Sequence, residues 1–90
     1  RREQHAAAAR VKRMEVLARN PAKAWKQVEA LIEAKRAKEY DAAVTLLADL
    51  HALAVRDNDL VGFAERMGRL REHNTRRPSL IDRFDRARLP

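Results

Sequence analysis

Apolar positions along this chain recur at helical spacing in five runs, and one run is apolar over far more of its circumference than the rest. From Tyr40 to Val55 the residues read YDAAVTLLADLHALAV. One stripe runs Tyr40, Ala43, Leu47, Leu50 and Ala54, in the three- and four-residue steps of an α-helix. A second runs Leu46, Leu50 and Leu53, offset around the cylinder, and Val44 widens the first. A helix lying on a surface needs one apolar face, whereas an arc this broad must be covered from two sides. The pattern predicts a central helix packed on the helix before it and on the helix after it.

The flanking runs are narrower. A second helix, about Ala22 to Ala37, places Trp25, Val28, Leu31 and Ile32 on one face and Lys26, Glu29, Glu33 and Arg36 largely opposite. Asn20 is a good N-cap for it and Pro21 suits its first position. The same Asn20–Pro21 pair closes a first helix, about Glu3 to Arg19, because a residue before proline avoids the helical region. That helix has only a thin stripe of Ala7, Val11, Met14, Leu17 and Ala18. No glycine or proline marks the break between the second and third helices, which is expected within Ala37–Tyr40. Arg56–Asp59 reads as a turn with capping residues. A fourth helix, Leu60 to His73, follows, with Leu60, Phe63, Ala64, Met67 and Leu70 inward. Gly62 and Gly68 lie inside it at a cost of about 1 kcal/mol each relative to alanine, expected where a neighbouring helix comes close, or else tolerated on the surface. Asn74–Pro78 breaks the chain, Ser79 to Asp82 reads as a capping box, and a fifth helix buries Leu80, Ile81, Phe84 and Ala87.

Composition points the same way. The chain has 90 residues, 46% of them apolar with much alanine, and only two glycines and three prolines. That favours an all-α fold of about five helices in one domain, in which a basic N-terminal helix over 1–20 leads into a helical-hairpin module over 21–90. The absence of cysteine excludes disulfides and cysteine-bound metal, and is compatible with the reducing cytoplasm expected for this protein. No run reaches the ~20 apolar residues of a membrane span, and the four alanines from Ala6 are too short for a signal-peptide core. The first residue is Arg1 rather than methionine, which fits a piece of a longer protein.

The formal charge of +7 is concentrated at the two ends, +5 over residues 1–24 and +3 over 73–90. Basic ends suggest an anionic partner, nucleic acid included, although fifteen arginines against five lysines would also follow from coding bias. The candidate contacts are Arg10, Lys12 and Arg13 at the front, and Arg69, Arg76, Arg77 and Arg83, expected to form one patch where the fourth helix meets the fifth. Arg66 and Arg86 lie on the same two helices. Glu65, Glu72, Asp82 and Asp85 are interleaved with these arginines, as on a solvated face of ion pairs. No exposed aromatics are evident for stacking on bases.

Catalytic chemistry finds little support. His5, His51 and His73 fall on three different helices with no HxxxH pair. His51 is expected to edge the interface of the third helix, and His73 to cap the fourth. Asp57, Asn58 and Asp59 followed by Gly62 resemble the start of a calcium loop, but Val61 stands at an oxygen-ligand position and Gly68 where the bidentate glutamate belongs. Ser79, the single serine, is assigned to capping, and the pairs Asp82/Asp85 and Asp57/Asp59 have arginine nearby. The expectation is a protein that is not an enzyme, with no catalytic, cofactor or metal residues, no small-molecule substrate and no membrane contact.

Comparing the halves gives an internal echo. Trp25, Val28, Ile32 and Lys35 align with Leu60, Phe63, Met67 and Leu70; Tyr40, Ala43, Leu47 and Leu50 align with Arg77, Leu80, Phe84 and Ala87. Each hairpin is close to the ~34 residues of a tetratricopeptide unit, and a tryptophan early in one helix followed by YDAAVTLL opening the next resembles that family. Beyond this, WKQVEALIEAK, YDAAVTLLADLHALA and RLREHNTRRPSLIDRFDRARL, spanning Trp25 to Leu89, resemble the C-terminal region of bacterial, chiefly actinobacterial, SWIM zinc-finger proteins. The resemblance implies a tail module of a larger protein. That family's zinc-binding cysteines are absent from this chain, so its metal does not carry over. Two functions follow as expectations: a non-enzymatic helical-repeat module docking a peptide, a protein or a second copy, or a basic helical domain that binds nucleic acid.

Overall fold

The computed structural model describes residues 2–90, with side chains from residue 8 onward. The His5 and Ala7 side chains singled out above lie outside the described residues. Five helices follow one another: α1 Arg2–Arg19, α2 Pro21–Glu33, α3 Ala37–Arg56, α4 Leu60–His73 and α5 Pro78–Arg86. No strand occurs among the described residues, and the fold is all-α.

The helix ends follow from local chemistry. The Asn20 side chain accepts from the Lys23 N–H at 3.3 Å and Pro21 sits at the first helical position of α2, as the sequence predicts. Asp59 likewise accepts from the Gly62 N–H at 3.3 Å to open α4. The break between α2 and α3 comes earlier than expected. Helix α2 stops at Glu33, Lys35 takes a left-handed φ of 58°, and α3 is already under way at Ala37 rather than at Tyr40. The N–H of Lys35 bonds to the Ile32 carbonyl, closing α2 with a motif that ordinarily uses glycine. Ser79 is not an N-cap. Pro78 occupies the first position of α5 and Arg77 the cap, so the proline sets the start two residues earlier. The Ser79 hydroxyl instead meets the Arg83 guanidinium.

Helix α3 is the centre. It packs along α2 most extensively, then against α1, α4 and α5, while α4 and α5 have scarcely any backbone contact with each other or with α2. Ala43 and Leu47 are fully buried, Leu50 and Leu53 nearly so, and Leu46 is half-buried against the core. Both predicted stripes are therefore covered, by four helices rather than two. Val28 and Ile32 from α2, Phe63 and Met67 from α4, and Leu80 and Phe84 from α5 complete one continuous core. On α1, Met14 and Leu17 are half-buried while Val11 and Ala18 are exposed. On α4, Leu60 and Ala64 face solvent, as does Ala87 after α5, whose place in the core is taken by Leu89.

Neither glycine makes close approach to another helix, contrary to the first expectation. A β-carbon at Gly68 would meet nothing within 4 Å, so this position is simply tolerated. One at Gly62 would lie 2.7 Å from the Asp59 carboxylate, the cap of its own helix. His51 stacks on Phe63 with centroids 4.9 Å apart, at the α3–α4 interface where it was expected. The His73 ring approaches the Arg69 carbonyl at 3.0 Å, and Asn74, buried beside it, donates to the Leu70 carbonyl at 2.7 Å to finish α4.

Candidate interaction groove

Because α2 and α4 both rest on α3 and barely meet, a channel remains between them. Its orientation is set at both ends. Near the start of the two helices the Trp25 and Phe63 rings lie 5.6 Å apart, and just past the end of α4 Arg77 donates to the Ile32 carbonyl at 3.2 Å. So α2 and α4 run parallel. The channel is two joined hollows of about 560 and 380 Å³ that share Trp25, Arg66 and Arg69. Trp25, Ile32 and Leu70 form an apolar floor in the larger, flanked by Glu29 and Glu33 from α2 and by Arg66, Arg69 and His73 from α4. Trp25 is half-buried, and the Arg66 guanidinium lies over its ring, 5.0 Å from the centroid.

The basic residues expected to form a patch are distributed differently. Arg77 reaches back to α2, bonding Ile32 and pairing with Glu33 at 3.4 Å, where it meets the negative end of the helix dipole. Arg83 pairs with Asp41 at 2.7 Å, bonds Ser79 and lies over Tyr40, tying α5 to α3. These two arginines hold the fold together and do not join Arg69. Arg76 is exposed in the α4–α5 turn. Arg69 lines the groove beside Arg66. On α1, Arg10, Lys12 and Arg13 are exposed, and Arg13 stands 3.7 Å from Asp49 of α3.

Sequence reasoning gave two residues the wrong weight. The helical spacing places Trp25 with the core face of α2, yet the side chain is only partly buried and lines the channel. Arg66 belongs to the basic residues of α4 but not to the expected patch, and it has no acidic residue three or four positions away in either direction, the one local sign that it is not part of an ion-pair ladder. Among the described residues no three His, Asp or Glu side chains converge as a metal would require, and no helix is long and apolar enough to cross a membrane. No protein-family model matches the chain, and no curated protein or solved structure is significantly similar to it.

Proposed function

We propose that this chain is a non-enzymatic helical interaction module that seats a segment of another polypeptide between α2 and α4. The observation that carries this reading is the half-buried Trp25 at the floor of an open channel whose larger hollow has acids on its α2 wall and basic residues on its α4 wall. Such a channel has an apolar strip to desolvate and polar rims to orient a chain, the usual make-up of a peptide-binding groove. The outer face of α5, with Ser79, Asp82, Asp85 and Arg86, is polar and offers no surface for another repeat to stack upon. On this reading α2–α3 corresponds to a tetratricopeptide-like hairpin, with α4 and α5 following as a second, looser pair. The module serves in the cytoplasm as the C-terminal part of a larger SWIM zinc-finger-like protein.

A photo-crosslinking residue in place of Glu29 or Arg69, introduced in the native host, tests the reading. Adducts to polypeptide from these positions, and none from Asp82 on α5, are the expected result. Equal labelling from all three positions, or adducts to nucleic acid alone, overturns it.

A second reading, binding of nucleic acid, is favoured by the α1–α2 end. Arg10, Lys12, Arg19, Lys23 and Lys26 are all exposed there, and none has a carboxylate within ion-pair distance among the described residues. It predicts an electrophoretic shift at low salt that is lost steeply as salt rises. Full binding by a K12E/K23E/K26E variant rules it out.

A further inference from the structure

Of the arginines on α4 and α5, Arg71, Arg83 and Arg86 each pair with a carboxylate of this chain. Arg66 and Arg69, one turn apart on the same side of α4, have no such partner among the described residues. Glu65 lines the groove next to them without coming within ion-pair distance of either. We infer that Arg66 and Arg69 form a carboxylate subsite, and that the groove takes a polypeptide segment with an apolar side chain on Trp25 flanked by aspartate or glutamate at that subsite. This rests on the groove being a polypeptide site, as proposed above, and adds the chemistry of its occupant.

Three observations point to that occupant. Arg66 is already held in place by its ring contact with Trp25, so little side-chain freedom is lost when it binds an anion. A planar guanidinium binds a carboxylate through two parallel N–H···O bonds, and a half-buried indole beside it supplies apolar area that a carboxylate alone lacks. The two hollows meet at these arginines, so a chain passes the subsite rather than ending there. This assigns the carboxylates to side chains and not to a chain terminus. Of the carboxylates lining the two hollows, Glu33 pairs with Arg77, Asp57 pairs with Arg56 and Asp59 caps α4, so Glu29 and Glu65 are the acids beside the subsite and turn the segment's own acids toward Arg66 and Arg69.

Selection from a random displayed-peptide library, using the intact chain as bait, tests the assignment. Enriched peptides are expected to share a leucine or aromatic residue with aspartate or glutamate about one turn away. A synthetic copy of the best one should alter the emission of Trp25, the single tryptophan, and bind at least about tenfold more weakly to R66A/R69A. The charge-reversed R66E/R69E chain, with helicity checked by circular dichroism, should select lysine- or arginine-flanked peptides instead. Enriched peptides that change Trp25 emission but show no charge preference, or that need a free C-terminus, overturn the carboxylate subsite while leaving the groove reading intact. No enrichment by the folded wild-type chain, or peptides that bind without affecting Trp25, overturns both.

Discussion

Single residues fix where this chain turns, and three of them do so in the left-handed region without being glycine. Lys35, Asn58 and Arg88 have φ of 58°, 57° and 58°. Asparagine tolerates that conformation, whereas lysine and arginine are strained there by about 1 kcal/mol. Lys35 is exposed and makes no side-chain bond among the described residues, so K35G is expected to raise stability by up to about 1 kcal/mol, seen as a higher urea midpoint at unchanged slope. The glycines make a complementary pair. G68A fills open space on a helix and should stabilise by about 1 kcal/mol. G62A sets a methyl against the Asp59 cap, so the loss of about 1 kcal/mol from the cap offsets the helix-propensity gain and its urea midpoint should stay near wild type and below that of G68A. At this scale the sequence was only partly legible. Asn20 and Asp59 announced their caps through residue type, but a lysine at a helix end carries no sign that the backbone reverses there. Ser79 carried a false one, because the adjoining proline had the stronger claim on the first turn.

At the level of elements, α3 was the most legible part of the chain and α5 the least. The arc from Tyr40 to Leu53 stated that this helix would be enclosed, and burial of Leu47 and Leu50 agrees. Removing the Leu47 side chain, as in L47A, should cost about 2–5 kcal/mol and give a markedly lower thermal midpoint, while V61S at an exposed position stays within about 0.5 kcal/mol of wild type. What periodicity did not reveal is how α5 is fastened. Arg71 of α4 donates to the Leu89 and Pro90 carbonyls at 3.0 and 2.6 Å, pairs with Asp85 at 2.9 Å and lies over Phe84. Leu89 caps α5 by bonding back to the Phe84 carbonyl and packing into the core. These contacts link residues far apart in sequence and have no spacing to betray them. With its side chain partly open to water, Arg71 is worth about 1–2 kcal/mol. R71M should therefore speed amide exchange at Arg88 and Leu89 before it disturbs α3.

On the scale of the molecule, the radius of gyration of 13.3 Å and a longest dimension of 42 Å describe a body drawn out along its axis; a rounder domain of this length would have a radius of about 12 Å. α1 lies against α3 and α2, with Leu17 on the core and Arg13 near Asp49. A chain beginning at Asn20 should consequently uncover the part of α3 that α1 covers, bind a hydrophobic dye and melt at a lower temperature than the full chain. Equal melting would mean that α1 adds nothing to the body. The groove was the least readable feature of all, because it depends on two helices that are distant in sequence failing to touch. No local pattern encodes a gap.

That α4 and α5 lean on α3, with little between them beyond the contacts of Arg71, has a further consequence. Severing the backbone in the Asp57–Asp59 turn leaves one piece holding the keystone and another, α4 with α5, that has almost no interior of its own. The smaller piece would stay unfolded alone and regain its shape only on meeting the larger, so the two halves make a natural complementation pair.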